Sequence, residues 1–333
     1  MKKNFLSCLD RKPSELLKIL NKALEIKRGK LEPNFSGKVL TLLFANPSLR
    51  TRLSFANGFQ KFGGTVSVLD AADAWNFEFN EGVKMNGNTQ EHYREMIKVI
   101  SRYSDLIGIR DASLATKDSQ SKKTATWEEV KKNDHLIKFG AQATVPVINM
   151  ESNIYHPCQA LADAMTIMEN TEKKKEDIRV VLTWAPHPKA LPLATPHSQL
   201  LLPALLGMKI DLCCPPKFEL DAEVMQTVKK SHPEFKVHHD QGCLSRADFV
   251  ITKSWASLAY FSQWKEEKKY REKFSDWTLD LDKIGSAKFM HCLPIRRNIV
   301  ATDSLLDSEQ SLVIDEAENR MWAQVALMEE ILS

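Results

Sequence analysis

Apolar residues follow two rhythms along this chain. Short apolar runs that read as buried strands occur at Val39 to Ala45, Thr65 to Leu69, Leu106 to Ile109, Val145 to Asn149, Arg179 to Trp184, Lys209 to Cys213, Ala247 to Thr252 and Lys288 to Cys292. Between them lie stretches with the three-to-four-residue spacing of amphipathic helices: Ser14 to Lys27, a pattern ending near Phe62, Asn88 to Tyr103, Thr126 to about Phe139, a helix within Pro192 to Leu206, Asp221 to Lys230, and Glu316 to Leu332. Asn88 and Glu91 are spaced as a capping pair, with Met96, Ile97, Ile100 and Tyr103 on one stripe behind them. Thr126 and Glu129 are spaced likewise. Gly63-Gly64 ends the second helix, Gln241 to Arg246 reads as a short helical turn, and the polar stretch Asp111 to Thr124 reads as a surface loop or lid.

Strands that alternate with helices predict α/β architecture, with parallel sheets covered on both faces and ligands at the carboxyl ends of the strands. A chain of 333 residues suits two such doubly wound parallel-sheet domains. With 43% hydrophobic and 27% charged residues it has the composition of a soluble globular protein. A net charge of +3 with scattered lysines argues against a nucleic-acid partner. No apolar run reaches the length of a membrane span, and the opening residues lack the apolar core of a signal peptide, so the expected location is cytoplasmic. Cys8, Cys158, Cys213, Cys214, Cys243 and Cys292 form no C-x-x-C pair and read as free thiols. There is no G-x-G-x-x-G, no P-loop and no metal-ligand spacing, so neither a cofactor nor a metal is expected.

The chemistry is concentrated in Asn46-Pro47-Ser48-Leu49-Arg50-Thr51-Arg52, directly after the first strand. Pro47 breaks the strand and Ser48 is a good N-cap. The backbone N–H groups beyond it face outward at the positive end of a helix dipole, which is an anion site. Ser48 and Thr51 add hydroxyls, and arginine adds a fork that matches phosphate. Arg50 and Arg52 point about 200° apart on a helix, so Arg50 is expected on the ligand and Arg52 in a structural role. Arg110 and His156 also fall after strands, with Pro157 at the first position of the helix His156 opens, so one phosphate pocket can receive all three.

Ser48-Leu49-Arg50-Thr51-Arg52, Arg110, His156-Pro157-Cys158-Gln159, His291-Cys292-Leu293-Pro294 and Arg320 resemble, in order and approximate spacing, the aspartate and ornithine carbamoyltransferases, over nearly the whole chain. The resemblance implies a carbamoyl phosphate domain over residues 1–152 and an acylornithine domain over 153–315, with helix 316–333 packing back on the first. It implies that Ser48, Leu49, Arg50, Thr51, Arg110, His156, Pro157, Cys158, Gln159, Cys292, Leu293 and Arg320 hold carbamoyl phosphate. Arg50, Thr51, Arg110, His156 and Cys292 would act in catalysis. An uncharged amine would attack the carbonyl carbon and expel phosphate, with the arginines offsetting the growing charge and His156 and Thr51 holding the carbonyl oxygen.

Where ornithine enzymes carry an acidic residue for the substrate's α-ammonium, this chain has Lys253, in Lys253-Ser254-Trp255. A lysine there repels an ammonium and attracts a carboxylate, so the α-amine should be masked as an amide. Asp73-Ala74-Trp75, Trp184-Ala185-Pro186-His187-Pro188 and Asp315-Glu316-Ala317-Glu318-Asn319-Arg320 look like the N-acetylornithine and N-succinylornithine carbamoyltransferases. By that likeness Trp75 reaches the carbamoyl phosphate of a neighbouring subunit in a homotrimer with shared sites. Glu151, Trp184, Lys253, Leu293 and Arg296 would bind the acylornithine. Gln90 stands at a position that resembles the acyl-specificity residue, glutamate in acetyl-type and proline in succinyl-type enzymes, and matches neither. Val300 stands where acetyl-type relatives can carry a carboxylated lysine. The expected amine is N-acetyl-L-ornithine, with N-succinyl-L-ornithine the alternative and ornithine a second one. Two other classes compete, a metabolite-sensing phosphate-binding protein and a silent partner subunit; both are disfavoured because the pocket residues are all present.

Overall fold

A computed structural model describes residues 3–70, 77–112 and 126–333. The first sheet is made of β1 (Val39–Phe44), β2 (Thr65–Asp70), β3 (Leu106–Asp111) and β4 (Val147–Ser152), all parallel, in the order β2–β1–β3–β4. The second is made of β5 (Arg179–Trp184), β6 (Lys209–Cys213), β7 (Val237–His238), β8 (Phe249–Lys253) and β9 (Lys288–Met290), also parallel, in the order β9–β8–β5–β6–β7. The longer helices are α1 (Pro13–Lys27), α2 (Leu49–Lys61), α3 (Tyr93–Tyr103), α4 (Asp134–Gln142), α5 (Pro157–Glu169), α6 (Ala194–Leu205), α7 (Ala222–Ser231), α8 (Trp264–Arg271) and α9 (Val313–Leu332). Among the described residues, no helix is long and apolar enough to cross a membrane.

The period of two in each strand sorts the first sheet into two faces. Leu40, Leu42, Leu106, Ile148 and Met150 pack with α1 and α2 into the main core. Ile107, Ile109 and Val147 face the other way, onto Tyr93, Met96 and Ile97 of α3 and Leu136 and Phe139 of α4. Gly108 belongs to the main-core face; a Cβ there would stand 2.8 Å from Leu42 Cδ2 and 3.0 Å from Met150 Sδ, so the sheet closes only over a glycine.

Helix α9 packs against α1, α2 and α5, which returns the end of the chain to the first sheet as expected. The approach is close where α2 crosses it, with Gly58 turned toward Val325 and Met321. Lys22 of α1 pairs with Glu329 and, at 3.0 Å, with Glu330. Leu327 of α9 is fully buried in this layer. Leu327→Ala is expected to cost about 2–5 kcal/mol, read as a lower urea midpoint at unchanged m-value.

Several local expectations are corrected. The expected Asn88–Glu91 cap does not form, because Glu91 and His92 pair as a short strand with Phe77 and Glu78, and His92 Nδ1 instead accepts the Arg94 N–H at 3.3 Å. The α3 stripe leaves the core as it proceeds: Met96 and Ile97 are buried, whereas Tyr103 is 73% exposed. The Thr126–Glu129 capping box forms, but the helix it opens stops at Val130, and a left-handed Asn133 (φ 57°) restarts the chain as α4.

Candidate active site

The anion site is built at the carboxyl end of the first sheet. After β1 the chain turns through Asn46, whose Oδ1 accepts the Ala112 N–H at 2.8 Å, and enters α2 with Ser48 as the extended N-cap (φ −156°, ψ 119°). Ser48 Oγ accepts the Thr51 N–H at 3.3 Å, which leaves the N–H groups ahead of it without intrahelical partners. Arg50 and Arg52 diverge as the helix pitch requires. Arg52 lies over the Phe44 ring, 4.9 Å from its centroid, and pairs with Asp70, so it is structural. Arg50 has no hydrogen bond or ion pair among the described residues and is half-buried beside Arg110 and Cys292. Burial pulls its pKa down and Cys292 opposes this, with Arg110 adding to the lowering; Arg50 remains a cation.

Arg110 sits where the β3–β4 register shifts between Ile109 and Arg110, an irregularity that re-aims the side chain. It pairs with Glu151 of β4, whose Oε2 is also 3.8 Å from His156 Nε2. His156 precedes Pro157 at the start of α5 and is held by its own N–H, which donates to Ser198 Oγ at 2.9 Å. Burial, then Arg320 and Arg110, then Lys253, press its pKa well below the usual imidazole value, so the ring is neutral. Arg320 reaches in from α9, its Nη2 donating to Thr51 Oγ1 at 2.7 Å and its Nη1 to Gln159 Oε1. Because Thr51 Oγ1 accepts from Arg320, its own hydroxyl proton is free to point elsewhere.

Three nitrogens in this cluster, Arg110 Nε, Arg320 Nε and His156 Nδ1, are buried without a hydrogen-bond partner among the described residues. Buried polar atoms are ordinarily satisfied, and unpaired donors gathered in one place mark where an anion belongs. The cluster can bind a phosphoryl group and hold an adjoining carbonyl oxygen.

Beside it a cavity of about 200 Å³ is lined by Glu151, His187, Thr195, Lys253, Ser254, His291, Pro294, Arg296 and Val300. Glu151 belongs to both regions, so the cavity opens onto the anion site. Lys253 ends β8, and Arg296 Nε donates to His187 Nε2 at 3.0 Å. Burial lowers the pKa of both His187 and His291, with Lys253 adding to it, so the lining carries its positive charge on Lys253 and Arg296. Burial raises the Cys292 pKa, so this residue is a thiol rather than a thiolate nucleophile.

The structure therefore gathers Ser48, Arg50, Thr51, Arg110, Glu151, His156, Gln159, Lys253, Cys292, Arg296 and Arg320 into two adjoining regions. Leu293 is half-buried between Cys292 and Pro294, and Pro157 is buried at the start of α5. Other expected residues bring no side chain to either region, although Leu49 places its backbone N–H at the mouth of α2. The Leu49 side chain is 67% exposed, and Cys158 turns into the core, its Sγ donating to the Asn149 carbonyl at 3.4 Å. Trp184 does not line the cavity: its ring is fully buried among Phe218, Phe274 and Trp277, and its N–H donates to the Trp255 carbonyl at 3.0 Å. An expected role for Trp184 in binding acylornithine is thus replaced by a packing role. Gln90 is exposed and is not among the residues that line the cavity, and Trp75 lies outside the described residues.

Sequence reasoning passed over His187 and His291, although both stand inside quoted motifs, and over the buried Asp163, Gln199 and Glu316 behind Arg320. Asp163 lies one helical turn after Gln159, a spacing that could have revealed it. Gln199 and Glu316 meet it only through tertiary packing.

Residues 3–169 match the family model "Aspartate/ornithine carbamoyltransferase, carbamoyl-P binding domain", and residues 194–331 match "Aspartate/ornithine carbamoyltransferase, Asp/Orn binding domain". The N-acetylornithine carbamoyltransferase of Xanthomonas axonopodis pv. citri (strain 306) is 40% identical, over 99% of this chain and 97% of that protein. The N-succinylornithine carbamoyltransferase of Bacteroides thetaiotaomicron is 33% identical, over 96% of this chain and 95% of its own length. A crystal structure of acetylornithine transcarbamylase complexed with acetylcitrulline superposes with a TM-score of 0.92 at 38% identity, covering 99% of each chain.

Proposed function

The chain belongs to the aspartate/ornithine carbamoyltransferase family, and we propose that it moves the carbamoyl group of carbamoyl phosphate to the δ-amine of N-acetyl-L-ornithine, giving N-acetyl-L-citrulline and phosphate in arginine biosynthesis. One observation carries the carbamoyl phosphate half: Arg110 Nε, Arg320 Nε and His156 Nδ1 are buried and unpaired around the mouth of α2. Arg50, Arg110 and Arg320 take the phosphoryl oxygens together with the first N–H groups of α2, while neutral His156 and the Thr51 hydroxyl hold the carbonyl oxygen. The amine attacks uncharged, the tetrahedral intermediate collapses as its C–O bond to phosphate breaks, and phosphate departs with the proton given up by the amine into a field of fixed positive charge that needs no rearrangement. Residues 1–152 serve carbamoyl phosphate and residues 153–315 the amine.

The amine half rests on Lys253 and Arg296. They line the neighbouring cavity and suit the α-carboxylate of an ornithine whose α-amine is masked, and they disfavour a free α-ammonium. Gln90 and Trp75 act, in this reading, across the interface of a homotrimer in the cytoplasm. Gln90 is exposed in the single chain, so it selects the acyl group only if a neighbouring copy brings it to the cavity. The test is citrulline-group formation from carbamoyl phosphate with ornithine, N-acetylornithine and N-succinylornithine offered separately. Turnover of N-acetylornithine with ornithine inert is the expected result. Preference for the succinyl compound would reassign Gln90, and use of ornithine alone would defeat the masked-amine argument.

A further inference from the structure

Behind the anion site a set of buried hydrogen bonds runs back from Arg320. Arg320 Nη1 donates to Gln159 Oε1, and Gln159 turns both of its amide N–H bonds away, to Asp163 Oδ1 at 2.7 Å and to Glu316 Oε1 at 2.9 Å. Gln199 Nε2 donates to Asp163 Oδ2 at 2.8 Å. Gln159, Asp163, Gln199, Glu316 and Arg320 are all at least 95% buried. The one Gln159 Nε2 thus holds the Asp163 and Glu316 carboxyls side by side, and two buried carboxylates so placed are relieved by a proton on one of them. Glu316 Oε2 has no hydrogen-bond partner among the described residues, which makes it the place for that proton. Among the described residues Arg320 is the one cation bonded to this set, so a second negative charge would stand uncompensated in a dry interior. Burial pushes both carboxyl pKa values up, and the Asp163 charge, followed by Cys292, pushes Glu316 further.

We propose that Asp163 and Glu316 are positioning residues that share one proton, carried on Glu316 and donated to Asp163, and that together they fix Gln159 and through it aim Arg320 at the phosphoryl group. The inference rests on the carbamoyl phosphate reading above. A flipped Gln159 would set its N–H bonds against those of Arg320; two acceptors on the far side forbid the flip. With Nη1 committed to Gln159 and Nη2 to Thr51, the Arg320 fork has one orientation, and Nε is left for the anion.

The two carboxyls are chemically unequal in this arrangement, which gives the test its signature. In Glu316→Gln the new amide can donate to Asp163 and accept from Gln159. In Asp163→Asn an N–H must confront an N–H of Gln159 or Gln199. Inorganic phosphate binding by calorimetry and the KM for carbamoyl phosphate should stay within about threefold of wild type in Glu316→Gln and weaken about tenfold or more in Asp163→Asn, with the KM for the amine nearly unchanged in both. Equal losses in the two variants, or a neutral Asp163→Asn, would overturn the shared proton, since a merely structural pair would not distinguish them. If Asp163→Asn does not fold, Glu316→Leu and Glu316→Gln decide: the proposal requires weakened phosphate binding in the first only. A wild-type protein that binds no phosphate would overturn the site reading itself, and the positioning role with it. Phosphate binding without the Gln/Asn asymmetry would overturn the proton assignment alone.

Discussion

Arg50→Ala should lower kcat/KM for carbamoyl phosphate by about 10²- to 10³-fold while leaving the melting temperature close to wild type. Both halves of that expectation come from the geometry. The Arg50 guanidinium stands in the first turn of α2 without a hydrogen bond or ion pair to any described residue, so its removal orphans nothing. Its guanidinium is held between burial and the Arg110 charge, an arrangement that is unfavourable until an anion arrives, so its contribution falls on ligand and transition state. Arg52→Ala is the internal control. It loses the Asp70 pair and the face of Phe44, and should reduce stability modestly with little change in KM. A reversal, with Arg52 costing activity and Arg50 only stability, would show that the helix presents its other face to the ligand. Steady-state kinetics and thermal denaturation on the two variants decide it.

The second large effect is expected of Lys253→Asp. The cavity beside the anion site carries Lys253 and Arg296 against Glu151, with His187 and His291 kept neutral by burial. Reversing the lysine puts an acid where the substrate carboxylate belongs, and at short range in a poorly hydrated pocket this should raise the KM for the acylated amine on the order of 10²-fold. The KM for carbamoyl phosphate should move far less, because Arg50, Arg110 and Arg320 are unchanged. Unchanged kinetics with the acylated amine would remove Lys253 from the substrate site.

How much of this was legible beforehand depends on how far apart the cooperating residues lie. Ser48, Arg50 and Arg52 could be read in sequence because a strand, a cap and a helical pitch fix their directions within a few residues, and the structure separates the two arginines as the pitch demands. The alternation of strands and helices likewise gave two parallel sheets with nearly the expected strand positions. Local rules failed where a distant strand intervened: Asn88 and Glu91 have capping spacing, yet Glu91 is taken by Phe77 and Glu78. Trp184 failed for a different reason. Its position after a strand fits a site residue, but Phe218, Phe274 and Trp277 converge on it from other segments and absorb the ring. The Asp163–Glu316 pair was invisible because its members are contributed by α5 and α9, and no spacing rule reports a proton shared across that distance in sequence.

The bond between Arg320 and Thr51 spans 269 residues of chain. As the protein leaves the ribosome, α2 and the strands beside it are available long before α9 exists, so the early chain displays a phosphate-facing helix end that lacks its third guanidinium. Contacts this remote are slow to close and add late to stability. Helix α9 also covers α1, α2 and α5, so the same event seals the apolar layer and completes the charge around the ligand. Capture of carbamoyl phosphate is thereby tied to the docking of α9. A proteolytic cut ahead of Val313 that releases α9 would be expected to open the apolar layer and to abolish the affinity on which turnover depends, both at once.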